Sequence, residues 1–154
     1  MKKVVAAVIS DTHNLLRAEL IKLLNGVDLI IHAGDIGDDE IMASLESIAP
    51  LHAVRGNTDY SARASTLPLT DIVRVGSAHL YVIHNIAGLD IDPLSAGISA
   101  VVYGHSHRAC SETKDGVLYF NPGSAGPVRF NLPVTVGFIT EENGKLSSRI
   151  ERVI

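Results

Sequence analysis

The first apolar run, VVAAVI at residues 4–9, is rich in β-branched side chains and has no polar interruption. Continuous runs of this kind mark strands covered on both faces, whereas half-exposed strands alternate. LLRAELIKLLN (15–25) follows, with Leu16, Leu20 and Leu23 at helical spacing, Asn14 placed as an N-cap and Gly26 as a stop. VDLIIHAG (27–34) reads as a second buried strand. DDEIMASLESIA (38–49) reads as a helix, with a stripe of Ile41, Leu45 and Ile48, acids in its first turn and Pro50 ending it. LHAVRGN (51–57) is a third short strand. The alternation predicts a βαβαβ start with parallel strands.

Beyond residue 60 the texture changes. DIVRV (71–75) and HLYVIH (79–84) read as neighbouring strands joined by GSA, and DPLSAG (92–97) as a short helix with Pro93 in its first turn. AVVYG (100–104) and VLYFN (117–121) are further strands. VTVGFIT (134–140) and LSSRIERVI (146–154) are expected to close the chain as a hairpin around EENGK. The last third is expected to be antiparallel. No repeat or linker divides the pattern, which predicts one mixed α/β domain over residues 1–154 with helices covering its sheets.

Composition narrows the function classes. At 46% hydrophobic and 19% charged residues, the 154-residue chain is an ordinary globular protein. Its net charge of -4 argues against a broad footprint for long nucleic acid but leaves room for a small phosphate ligand. MKKVVAAVIS imitates the start of a signal peptide, yet runs into the polar DTHN without a small-residue cleavage site. No run reaches the roughly 18 apolar residues of a membrane span. The lone Cys110 cannot form an internal disulfide. Together these predict a cytoplasmic protein with no membrane partner. A dimer or tetramer is compatible with an apolar patch at residues 67–69.

The chemistry lies just past the apolar runs. The first is followed by Ser10-Asp11-Thr12-His13, the second by Gly34-Asp35, the third by Gly56-Asn57-Thr58-Asp59. LYVI ends at His84, and VVY at Gly104-His105-Ser106-His107. In open α/β sheets the carboxyl ends of parallel strands line the ligand crevice, so distant side chains can converge there. Asp11, His13, Asp35, Asn57, His84, His105 and His107 are too many ligands for one ion with room for substrate, and suit two ions if one carboxylate bridges. Mixed imidazole, carboxylate and amide donors favour manganese, iron, zinc or nickel over calcium. Two ions roughly 3.5–4 Å apart can hold a bridging hydroxide that attacks phosphorus. The glycines before Asp35, Asn57 and His105 suit backbone turning sharply off a strand.

In this order the motifs D-x-H, GD, GN, a lone H and GH-x-H resemble the calcineurin-like metallophosphoesterase superfamily, and most of all its small bacterial and archaeal phosphodiesterases. FNPGSAG (120–126) also resembles a phrase that follows the last motif in those enzymes. The resemblance implies a four-layer αββα sandwich of two mixed β-sheets flanked by helices. It implies that Asp11, His13 and His107 hold one metal, that Asn57, His84 and His105 hold the other, and that Asp35 bridges. It makes manganese the first choice, with nickel, zinc or iron as alternatives. His105 and His107 would share a face on a regular strand. They are therefore expected to leave the strand at Gly104 and split between the metals.

The expected activity is metal-dependent phosphodiester hydrolysis of a small substrate. The alternatives are a nucleotidase or nuclease, and a non-catalytic assembly module like the retromer subunit of this fold. Many superfamily members have histidine after GN as a proton donor; here Thr58 stands there, and Asp59 is either a proton donor or a residue orienting a ligand from behind. Asn85 stands where many relatives have glycine. The longer GD and GN motifs of the protein phosphatases are missing. His32, His52 and His79 fall inside strands and are read as structural; Arg55, Arg63 and Arg108 are read as surface charges.

Overall fold

The computed structural model describes residues 2–154. Two five-stranded sheets pack face to face. The first has the order β10-β9-β1-β2-β3, with β1 at Val4–Ile9, β2 at Leu29–His32, β3 at Leu51–Ala53, β9 at Thr135–Glu142 and β10 at Lys145–Arg152. The second has the order β4-β5-β6-β8-β7, with β4 at Thr70–Val75, β5 at Ala78–Ile83, β6 at Ala100–Val102, β7 at Cys110–Lys114 and β8 at Val117–Asn121. Strands β1, β2 and β3 are parallel, and β9 joins β1 antiparallel. Both sheets are mixed.

Period-two alternation sorts β1 between two cores. Ala6 and Val8 face inward against Val82, Val102 and Phe120 of the second sheet. Ala7 and Ile9 face outward, into a cluster with Leu20 of α1 (Ala18–Leu23) and Ile41 and Leu45 of α2 (Asp39–Glu46). This is why the run VVAAVI is apolar throughout. The outer face of the second sheet, with Tyr81, Ile83 and Val101, is covered by the segment carrying Ile86, Leu89, Ile91 and Ile98. That layer contains one 3₁₀ turn, Ile86–Gly88. The architecture is the expected α/β sandwich, with its α-helices on the first sheet.

Four local expectations need correction. Helix α1 begins at Ala18, with Arg17 in the N-cap position. Asn14 instead sits at φ +68°, and its side-chain oxygen accepts the Asp38 N–H at 3.0 Å, tying the first loop to the start of α2. DPLSAG forms turns, not a helix: Ala96 N–H reaches Asp92 O at 3.1 Å and Gly97 then takes φ +76°. Six residues ending in glycine are too few to propagate helix. CSETK is an unforeseen strand, β7, polar and largely exposed; pairing with β8, rather than any apolar pattern, makes it one. The last third is not wholly antiparallel, since β8 lies parallel to β6.

The closing hairpin turns at Asn143-Gly144, both at positive φ (+55° and +79°), as its tight two-residue loop requires. In the 67–69 stretch, Leu67 packs against the α1–α2 core and Leu69 is 67% exposed. Among the described residues no helix is long and apolar enough to cross a membrane.

Candidate metal centre

The parallel strands β1, β2, β3, β5 and β6 end on one side of the sandwich, and the loops leaving them meet there. Asp11 N–H donates to Gly34 O at 3.0 Å, His13 N–H to Asp35 O at 3.0 Å, and Gly104 N–H to His84 O at 2.9 Å. The backbone does not continue as strand. Asp11, His13, Asp35, His105 and His107 all lie at positive φ, between +43° and +71°. Left-handed backbone at non-glycine residues costs of order 1 kcal/mol each and persists where surrounding contacts over-determine it, commonly at functional sites.

The seven side chains converge as two groups. Asp11, His13 and His107 form one; Asp35, His84 and His105 form the other, the ligand atoms of each lying within 4.8 Å of one another. Asn57 joins the second group, with Oδ1 at 3.0 Å from His84 Nε2 and 3.2 Å from His105 Nδ1. His105 and His107 thus part company. Asp35 stands between the groups: its Oδ2 is 3.6 Å from His13 Nε2 and 3.3 Å from His84 Nε2.

Each carboxylate has one oxygen engaged and one presented. Asp11 Oδ2 accepts from Ser10 Oγ at 2.6 Å and from His105 N–H at 3.1 Å. Its Oδ1 faces His13 Nε2 at 3.6 Å and His107 Nε2 at 3.4 Å. Asp35 Oδ1 accepts Thr58 N–H at 2.9 Å, which leaves Oδ2 for the two groups.

These residues fit divalent ions. Asp11 Oδ1 and His13 Nε2, which face each other, are buried without a hydrogen-bond partner, a costly arrangement for polar atoms. His84 Nδ1 donates to Ala33 O at 2.7 Å, so in its neutral form the ring turns its Nε2 lone pair toward Asn57 Oδ1 and Asp35 Oδ2. Acceptors facing one another at 3.0–3.6 Å call for a cation between them. Metal–ligand bonds of about 2.0–2.2 Å place neighbouring donors roughly 3–3.5 Å apart.

The protonation equilibria follow the same geometry. Burial would raise Asp11, but His107, His13 and Ser10 outweigh it and hold the carboxyl well below its ordinary range. Burial also opposes ionisation of Asp35, where His84 and Thr58 prevail and lower it. Burial would lower His84, yet Asp35 raises it.

Behind the ligands stands a frame that sequence reasoning did not resolve. Asp59 is fully buried. Its Oδ2 accepts the N–H groups of Asp35 (2.9 Å) and Gly56 (2.7 Å), and its Oδ1 that of Ile36 at 2.8 Å. It ties the GD and GN loops together. His32 is also fully buried: Nδ1 accepts Gly34 N–H at 3.0 Å, so Nε2 donates to Thr12 Oγ1 at 2.9 Å, and Thr12 passes a bond to Ile36 O at 2.7 Å. Burial pushes the His32 pKa down to about 4. Asn121 donates to Gly104 O and Ser106 Oγ, each at 3.2 Å, and Ser124 Oγ to Asp11 O at 3.2 Å. The phrase FNPGSAG is therefore a buttress for the first and last motifs; its spelling was the only signal in the sequence. Close packing explains two glycines: a Cβ at Gly56 would collide with Asp35, and one at Gly104 with Ser10 Oγ. Of the arginines, Arg63 pairs with Glu46 at 2.8 Å on the surface, whereas Arg55 lines a cleft beside Asn57.

A model of the calcineurin-like phosphoesterase superfamily domain matches residues 4–144. The chain belongs to that superfamily. A probable metallophosphoesterase of Methanocaldococcus jannaschii is 36% identical over 130 residues, a match spanning 76% of this chain and 66%, just under two thirds, of that relative. A phosphodiesterase of the same organism is 27% identical over 153 residues, covering 88% of this chain and 92% of that one. Among solved structures, Vacuolar Protein Sorting 29 from Cryptosporidium parvum superposes with a TM-score of 0.76 at 16% identity, covering 97% of each chain. At that identity the likeness shows the fold alone. The superfamily is one of metal-dependent phosphoesterases, and the two ligand groups described above are its candidate metal sites here.

Proposed function

We propose that this superfamily member is a two-metal phosphodiesterase. Asp11, His13 and His107 hold one divalent cation, Asn57, His84 and His105 hold the other, and Asp35 is shared. The observation that carries this reading is the position of Asp35 Oδ2, 3.6 Å from His13 Nε2 and 3.3 Å from His84 Nε2, so that one oxygen serves both groups. When bound, the cations supply Lewis acidity to the phosphoryl group and activate a water for attack. Manganese is the proposed ion, the first choice that the family resemblance implies; the mixed imidazole, carboxylate and amide donors also suit iron, zinc or nickel.

The residues divide the remaining work. Ser10 Oγ and His105 N–H hold one oxygen of Asp11, so the other is preset toward its histidines. Thr58 N–H does the same for Asp35. Asp59 acts as a positioning residue: both its oxygens are occupied by the backbone N–H donors of Asp35, Ile36 and Gly56. Thr58, in the place of a histidine acid, cannot protonate a leaving group, which favours esters whose leaving groups depart as anions. The net charge of -4 supports a small diester over long nucleic acid, and the lone Cys110 agrees with a cytoplasmic setting.

The test uses purified protein, stripped with a chelator and reloaded with manganese, and bis-p-nitrophenyl phosphate. Turnover that depends on the metal is expected; none with manganese, nickel, zinc or iron would exclude catalysis. The fold, shared with Vacuolar Protein Sorting 29 at a TM-score of 0.76, is equally compatible with a second reading, a non-catalytic assembly module. His105→Ala separates the two, since an enzyme loses turnover and an assembly module keeps its partner.

A further inference from the structure

A cleft of about 710 Å³ opens from one half of the centre only. Asn57, His84 and His105 line it, and no residue of the Asp11 group does. From there it runs onto the outer face of the second sheet. Tyr81 and Ile83, two apart on β5, line it with the small part of each side chain, 7%, that the core leaves exposed. Leu69, 67% exposed, makes one wall, and the segment from Asn85 to Asp90 makes the other. Arg55 N–H bonds Pro68 O at 2.8 Å and so fixes the Leu69 wall to the GN loop.

The lining is chemically uneven. Arg55 stands two residues before Asn57 and makes no salt bridge among the described residues. It is the one arginine or lysine among the residues lining the cleft. The lining also includes an edge of the Tyr81 ring, the aliphatic side chains of Leu69 and Ile83, and the exposed carboxylate of Asp90. A carboxylate there repels a second phosphate and accepts from hydroxyl or amino groups. The volume is that of a pocket for a whole small molecule, well above a phosphate's need.

We infer that this cleft selects the ester arm retained on phosphorus: a planar ring that packs on Tyr81 and Leu69 and carries hydrogen-bond donors toward Asp90, as a nucleoside does. Arg55 contacts the phosphoryl oxygens beside the metal centre. This rests on the phosphodiesterase reading and names the substrate class for it. Arg55, read from sequence as a surface charge, becomes a substrate contact.

The experiment compares three diesters with one leaving group: the p-nitrophenyl esters of thymidine 5′-phosphate, phenyl phosphate and methyl phosphate. The thymidine ester is expected to exceed the methyl ester in kcat/KM by roughly tenfold, mainly through KM, the size of one good aromatic contact. Tyr81→Ala and Leu69→Asp bring that ratio toward one, and Leu69, being exposed, can be changed without disturbing the core. Asp90→Asn lowers the thymidine-to-phenyl ratio. A second readout needs no turnover: thymidine 5′-phosphate, but not methyl phosphate, should shift the backbone amide signals of Leu69, Thr70 and Gly88 in the metal-stripped protein. Amide shifts without turnover of any ester would leave the cleft assignment standing and sink the phosphodiesterase reading. Turnover with equal kcat/KM for all three esters, or no amide shifts with thymidine 5′-phosphate, would overturn the cleft assignment.

Discussion

His105 and His107 stand two residues apart, yet their imidazoles join opposite groups: His107 with Asp11 and His13, His105 with Asp35 and His84. Both lie at positive φ, at +71° and +64°, which breaks the shared face a strand would impose. On the proposed assignment each histidine serves one ion. Elemental analysis of dialysed protein should find two ions per chain in the wild type and one each in His105→Ala and His107→Ala. Asp35→Ala should weaken both sites. Equal loss of both ions from His105→Ala would refute the partition.

Asp59 is expected to matter to stability and metal binding without touching substrate. Asp59→Ala leaves the N–H groups of Asp35, Gly56 and Ile36 buried without acceptors and should cost about 3 kcal/mol or more. Asp59→Asn should keep most of the fold and lower metal affinity roughly 10- to 100-fold. Urea unfolding and competition with a chelating dye read the two effects separately; wild-type metal affinity in Asp59→Asn would show that the frame is irrelevant to the ligands.

Without an acid at Thr58, hydrolysis should depend steeply on the leaving group. Across a series of aryl diesters, log kcat/KM is expected to fall as the phenol pKa rises. Thr58→His keeps the backbone N–H that holds Asp35 and restores a proton donor, so it should flatten the slope and speed alkyl leaving groups by up to about 100-fold. A flat slope in the wild type would mean that another residue supplies the proton.

The metal-stripped protein should lose stability in acid well before its carboxylates titrate. His32 has a pKa near 4 in the fold, against 6.5 when unfolded, so between those values the unfolded chain binds more protons and stability falls as the pH drops. The full effect is roughly 3 kcal/mol. His84 is raised, so its contribution is fully present below pH 6.5 and fades as the pH rises above it. Stability of the stripped protein is thus expected to peak near the unfolded histidine value of about 6.5. Urea unfolding from pH 8 to 4 checks this. His32→Gln should flatten the acid limb, and an unchanged limb would remove His32 as its cause.

Much of the fold was legible in the chain, for reasons visible in particular elements. VVAAVI is apolar throughout because Ala6 and Val8 face one core and Ala7 and Ile9 the other. The ligand types stood in plain view after each apolar run. β7 was illegible, because Cys110–Lys114 is polar and exposed and becomes a strand only through the β8 edge. Asn14 has the composition of a helix cap, but Asp38 competes for its side chain. Asp59 and His32 look like any polar residue near a strand end until the loops they join are brought together.

The sequence by itself determined which side chains could carry the chemistry and the order in which strands deliver them, because residue identity and apolar period are local properties. Only the tertiary structure decided which oxygen of Asp11 and of Asp35 is engaged and which is free, and that the cleft opens from the Asp35 half alone. Those facts depend on hydrogen bonds between loops 20 to 100 positions apart, such as His105 N–H to Asp11 Oδ2 and Thr58 N–H to Asp35 Oδ1, and no local pattern encodes them.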